Sequence, residues 1–173
     1  MLARPGPDEY NPYYARYVEL VPDGDIVTTL ASQIEETDAV VRAFIPGRED
    51  FRYEPGKWSV RESLGHVVDT ERVFGFRALW FARGAAESQP GMDQDLWVAG
   101  SNAGERALDD LLSEWRAVRA STVALFRSLD PEAGQRSGVA SGYPVTVRAL
   151  AWITAGHELH HRALFRERYG STA

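Results

Sequence analysis

The sequence predicts an all-α protein, a four-helix bundle with an irregular N-terminal arm. Three observations lead there. Four stretches carry apolar residues at helical spacing, Gly or Pro stops each of them, and neither a strand-like alternation nor an internal repeat intervenes. The 173 residues make one domain with room for a single core, at 44% hydrophobic and 25% charged residues, close to globular averages.

Residues 1–22 hold Pro5, Pro7, Pro12 and Pro22 beside Tyr10, Tyr13, Tyr14 and Tyr17, so they cannot form one regular helix. They read as an arm held on the body by aromatic rings, and residues 23–173 as the bundle. The first helix starts at Asp23 or Asp25 as N-cap and runs through Ile26, Leu30, Ile34, Val41 and Phe44 to the stop at Pro46-Gly47. A loop over 46–58 follows, with a short strand expected at Phe51–Tyr53. Ser59 and Glu62 form a capping box for the second helix, in which Leu64, Val67, Val68, Phe74, Ala78 and Phe81 mark one face up to Gly84. At 1.5 Å per residue this helix is roughly 37 Å long.

Residues 84–103 are long enough, when extended, to run back along that helix. The third helix spans 105–129, its stripe including Leu108, Leu111, Leu112, Trp115, Val118 and Leu125, and Asp130-Pro131 ends it. Residues 130–145 read as irregular. The fourth helix runs over 146–168 to Gly170. All three connections permit either sense, so the bundle topology stays open.

Charge and composition narrow the function. The net charge is −6, from 25 acidic and 19 basic residues, of which Lys57 is the one lysine. No cationic surface on the scale that phosphate backbones need is expected, and nucleic acid is a poor partner. Without cysteine there is no disulfide, thiolate ligand or Cys nucleophile, so any metal must be held by His and carboxylates. The N-terminus lacks the basic and apolar regions of a secretory signal, and the longest apolar stretch, residues 149–156, is far short of a membrane span. Cytoplasmic residence and no membrane partner are the expectations.

Of four histidines, three fall in Gly156-His157-Glu158-Leu159-His160-His161. On a helix, 157 and 161 are offset by 40° and project from one face, in the sector of Leu150, Ile153 and Leu164. Two imidazoles so close inside a core resist protonation, and a divalent cation bound to both neutral rings resolves the conflict. His66, two turns into the second helix, completes a three-histidine set if the second and fourth helices are neighbours. His160 lies about 100° off the pair's axis and reads as a flanking residue behind the ligands.

The run also matches H-E-x-x-H, with Glu158 as general base, but twelve residues after His161 leave no room for a downstream third ligand. Asp69 is placed either to accept a ring N–H from His66 or to pair with Arg72 at the surface. Trp152, Leu159 and Ala163 form a second apolar strip on the fourth helix, calling for a dimer contact or the arm to cover it.

Two groups of residues then become familiar. Gly56-Lys57-Trp58-Ser59-Val60-Arg61-Glu62 leading into Gly65-His66-Val67-Val68-Asp69-Thr70-Glu71-Arg72, with Ala149-Leu150-Ala151-Trp152-Ile153 and Gly156 to His161, resembles the DinB-like superfamily of damage-inducible bacterial proteins. It is unrelated to the translesion polymerase of that name. The resemblance covers the second to the fourth helix and places the family's three ligand histidines at His66, His157 and His161. It implies a metal-binding bundle, commonly a homodimer, in a family whose enzymes are largely metal-dependent transferases or isomerases using low-molecular-weight thiols.

The first functional expectation is therefore a transferase in which Zn or Ni on the three histidines activates a small thiol cosubstrate against a small electrophile. The second is a metal-dependent hydrolase with Glu158 or Asp69 as base. The third is a non-catalytic, metal-dependent stress-response binding protein.

Overall fold

The computed structural model describes residues 2–170, with Phe44 described by its backbone alone; the outer ends of the arm and of the bundle, Met1 and 171–173, and the Phe44 side chain lie outside the described part. A 3₁₀ turn, Pro12–Tyr14, leads into a single helical turn, α1 (Ala15–Val18). The arm is thus partly helical, because Asn11 caps Tyr13 N–H and Pro12 pre-sets the first turn.

The four long helices are those expected. α2 is Ile26–Phe44, with the Asp25 carboxylate accepting from Thr28 N–H at 3.0 Å. α3 is Val60–Ala82, opened by the reciprocal Ser59–Glu62 capping box. The connection after it holds an unexpected short helix, α4 (Gln94–Gly100), capped by Asp93, and a 3₁₀ turn over Ala103–Glu105. That turn delays α5 to Leu108–Arg127. α6 is Pro131–Gln135, and α7 is Val147–Leu164, capped by Thr146 and ending in a π-helical turn, Phe165–Tyr169.

Two expectations fail in the loops. Phe51–Tyr53 is not a strand, and Phe51 faces solvent. Residues 137–146 are not irregular but an antiparallel hairpin, β1 (Ser137–Ala140) with β2 (Tyr143–Thr146). Ser141 and Gly142 turn it with φ of 54° and 80°, the two-residue turn whose twist suits a hairpin. Gln89 bonds to β1, its N–H to the Val139 carbonyl at 2.8 Å, which ties the α3–α5 connection to the hairpin.

Around the bundle the neighbours run α2, α5, α3, α7 and back to α2, so α3 and α7 lie side by side. Apolar faces fill the centre, with Leu30, Leu64, Leu111, Trp115, Phe126 and Ile153 fully buried. The core also holds a polar clamp. Arg119 of α5 makes a bidentate pair with Glu71 of α3 at 2.7 and 2.8 Å, and donates to Gln33 of α2 at 2.6 Å. Gln33 in turn donates to the Ala155 carbonyl of α7 at 3.0 Å, so one guanidinium links four helices.

The arm covers the second apolar strip of α7 at its Trp152 end, while Leu159 and Ala163 stay half-buried. Trp152 is 1% exposed, its indole N–H donates to the Leu2 carbonyl at 3.3 Å, and the Arg4 guanidinium lies 4.2 Å from its ring centre. Trp152 is therefore not a dimer contact, and the homodimer expectation loses that support. Glu9 fastens the arm to the start of α7 through Arg148 and Thr146. Among the described residues no helix is long and apolar enough to cross a membrane.

Candidate metal centre

Because α3 and α7 are neighbours, His66 meets the i, i+4 pair His157 and His161 across the interface. Each ring offers a nitrogen within 4.8 Å of the others, and all three residues are buried. The Nε2 atoms of His66 and His157 are 3.2 Å apart. Two nitrogens each about 2.0–2.1 Å from one zinc-type ion, at near-tetrahedral angles, stand roughly 3.3 Å apart. The His66–His157 pair fits such an ion, and His161, with a nitrogen within 4.8 Å of both, is placed to join it.

Electrostatics favour the same fit. Burial, followed by the neighbouring imidazoles, holds His157 and His161 well below the ordinary histidine pKa. Burial and then His160 bring His66 down to about 4. At neutral pH all three rings are uncharged and their lone pairs are available to a cation.

The rings are held from behind by groups the sequence reading passed over. Ser63 Oγ lies 3.2 Å from Nδ1 of His161, and Thr70 Oγ1 lies 3.4 Å from Nδ1 of His66. Ser63, His66 and Thr70 lie within one stripe of α3, at i−3 and i+4 from the histidine, and polar residues inside an apolar stripe were the available signal. Trp58, at the mouth of α3, covers His66 with ring centres 4.6 Å apart, and its carbonyl accepts from the Tyr169 hydroxyl at 2.9 Å. Tyr17 of α1 sets an edge against His157 at 5.4 Å and against His160 at 5.5 Å.

Glycine precedes both His66 and His157, and in each case space is the reason. A Cβ at Gly156 would lie 2.0 Å from the Tyr17 carbonyl oxygen, and one at Gly65 would lie 2.6 Å from Cβ of Ala103. The arm and the α3–α5 connection therefore close directly over the helices beside the histidines.

Two cavities meet at His66. One, of about 500 Å³, is lined by His66, His160 and His161 with Tyr53, Lys57, Trp58, Asp95 and Tyr169 among others. The other, of about 350 Å³, runs from His66 and His157 past Thr70, Val73 and Phe74 to Arg77. His160 is half-buried, with its ring edge-on to His161, the flanking place expected of it.

The two carboxylates considered as bases line neither cavity. Glu158, 100° round the helix from His157, points to α2, where it accepts from the Thr37 hydroxyl. Burial pushes its carboxyl up to about 7 against the pull of Arg119 and Arg162. Asp69 is turned away from His66 toward Arg72, at 3.6 Å, because it is Thr70 that falls at i+4. Burial raises its carboxyl more than Arg72 lowers it. The carboxylate that does share a cavity with the histidines is Asp95 of α4, on a helix the sequence reading did not identify.

The sequence matches the model of the DinB superfamily over residues 27–165, which takes in all four long helices up to the first residue of the π turn. The chain belongs to the DinB superfamily. The fold is shared with a solved structure from Bacillus subtilis, YfiT, described as a probable metal-dependent hydrolase with an unusual four-helix bundle topology. The two superpose with a TM-score of 0.70 at 17% identity, over 94% of this chain and 89% of YfiT. No curated protein matches the sequence.

Proposed function

We propose that the protein is a metal-dependent hydrolase of a small molecule, with one divalent ion, zinc or nickel, held by His66, His157 and His161. The observation that carries this reading is the meeting of three neutral, buried imidazoles at the floor of two open cavities. The hydrolytic class is supported by the likeness to YfiT. When bound, such an ion supplies Lewis-acid chemistry, polarising a substrate carbonyl and making a water or thiol acidic near neutral pH.

The chain's own residues do the rest. Ser63, beside Nδ1 of His161, orients that ring with its other nitrogen toward the site, and Thr70 lies against the His66 ring within reach of both its nitrogens. Trp58 and Tyr17 shield the imidazoles from bulk water, which strengthens electrostatic effects at the floor of the cavity. Asp95 takes the proton-accepting role first considered for Glu158 or Asp69, since it shares a cavity with His66 and His161.

A second reading, thiol transfer to an electrophile, is favoured by the two cavities that meet at His66, which leave room for a thiol cosubstrate beside the substrate. The thiol must come from outside, because the chain has no cysteine.

Metal analysis of untagged protein, before and after dialysis, is the first test. One equivalent in the unchanged chain and loss from His161→Ala is expected; a full equivalent retained by His161→Ala refutes the site. Assays against esters, amides and epoxides, with and without added bacterial thiols, then separate the readings. Chelator-sensitive turnover without thiol supports hydrolysis, strict thiol dependence supports transfer, and silence of the metallated protein favours a non-catalytic binding role.

A further inference from the structure

Among the described residues, Arg77 is a buried cation without a counter-charge. It is 4% exposed, yet its Nη2 donates only to the Pro90 carbonyl at 2.5 Å and to Ser141 Oγ at 3.2 Å. Tyr14 is its other polar neighbour, and among the described residues no carboxylate pairs with it. The contrast with Arg119 is direct: that guanidinium, more deeply buried still, is matched by Glu71. A buried charge held by neutral dipoles alone is costly, and the cost falls when an anion arrives.

The position of Arg77 says where such an anion would come from. His66, Thr70, Val73 and Arg77 follow i, i+4, i+7, i+11 along α3 and line one wall of the 350 Å³ cavity. The eleven residues between His66 and Arg77 correspond to roughly 16 Å along the helix axis. Val73, Phe74 and Met92 make the middle of the cavity apolar. One end holds the imidazoles, the other a guanidinium, and the span between suits a short carbon chain.

We propose that Arg77 is the oxyanion-recognition residue of this cavity, and that the substrate is a small molecule with a carboxylate or phosphate at one end and the reacting group at the other, facing His66 and His157. The orientation rests on the metal-dependent reading; the anion site itself does not. An arginine fork bonds two oxygens of either group at once, and a neutral amide or alcohol leaves it unmatched.

Calorimetric titration of the full-length, metal-loaded protein with hexanoate, hexanamide and hexyl phosphate tests it, repeated after chelation. Expected is binding of the anions at least tenfold tighter than of the amide, lost in Arg77→Met and partly restored in Arg77→Lys, with and without metal. Tighter binding of hexyl phosphate than of hexanoate assigns the oxyanion as phosphate, the reverse as carboxylate. The unchanged chain decides the matter even if Arg77→Met does not fold: equal affinity for amide and acids, or no binding of either acid at millimolar concentration, overturns the proposal. So does affinity that vanishes on chelation while Arg77→Met keeps it in the loaded protein, because the anion then sits at the ion. Failure of the metal reading shows separately, as absent metal with anion binding intact.

Discussion

Replacing Gly156 by Ala sets two effects of opposite sign against each other. In the middle of α7, alanine gains about 0.8–1 kcal/mol of helix propensity over glycine. The new methyl, however, would sit 2.0 Å from the Tyr17 carbonyl oxygen and 2.4 Å from its carbon. An ordinary contact needs at least 3.4 Å, so the arm must retreat by more than an ångström. The obstacle is backbone, which has no rotamer to escape into. The arm is also anchored to α7 at two points, its Leu2 carbonyl accepting from the Trp152 indole N–H at 3.3 Å and its Glu9 carboxylate from Arg148 at 2.7 Å, and it is stiffened within itself by Arg4, which donates to the Val18 and Val21 carbonyls. Overpacking of this kind costs about 1–3 kcal/mol and more where relaxation is blocked. With relaxation blocked the cost lies at the upper end, about 3 kcal/mol, and after subtracting the propensity gain a loss of about 2 kcal/mol is expected, or roughly 4–8 °C in Tm for a chain of this size. Thermal and urea unfolding followed by circular dichroism measure it. Metal affinity should fall as well, since Tyr17 is pushed off His157. An Ala variant as stable as the original, or more so, would refute the close packing of arm on helix.

Glu71→Gln leaves Arg119 buried without its charge partner and should cost about 3–5 kcal/mol in urea denaturation, whereas replacing both residues by apolar ones should cost much less. For Glu9, burial would raise the carboxyl, but Arg148, the Gly6 N–H and Thr146 outweigh it and hold the pKa below 4.5. The unfolded chain therefore takes up the proton first on acidification, so the contribution of Glu9 is complete above about pH 4.5 and is lost below it. Stability curves of the original and Glu9→Gln proteins should converge in acid, and curves that stay parallel refute the pairing. Removing the metal should lower Tm only modestly, because the bundle core forms without it; a chain that is unfolded after chelation would contradict this. A homodimer is expected from the family resemblance, with light scattering as the check, and a particle of 19.3 kDa alone at micromolar concentration would end that expectation.

The long helices were legible because their signals are local. Asp25, the Ser59–Glu62 box and Thr146 satisfy backbone groups within one turn of themselves, and the apolar stripes depend on spacing along a single segment. The pair His157 and His161 was legible for the same reason. The hairpin carried a local signal too, in Ser141-Gly142, but four-residue strands between turn residues offer too little alternation to register. The short helix that brings Asp95 to the cavity was hidden likewise, since seven residues scarcely show a helical period.

What the sequence by itself determined is the fold class, the four long helices with the caps of the second and the fourth, and the three histidines. Tertiary structure alone decided which helices are neighbours, and so that His66 meets the α7 pair while Asp69 and Glu158 face elsewhere. It also decided that the arm covers Trp152, that Glu71 answers Arg119, and that Arg77 is buried with no carboxylate of the described residues paired to it. The physical reason is range. A cap or a stripe is settled by residues three or four apart, whereas the partners of the buried Arg119 lie 48 to 89 positions away and come into place only when the helices pack.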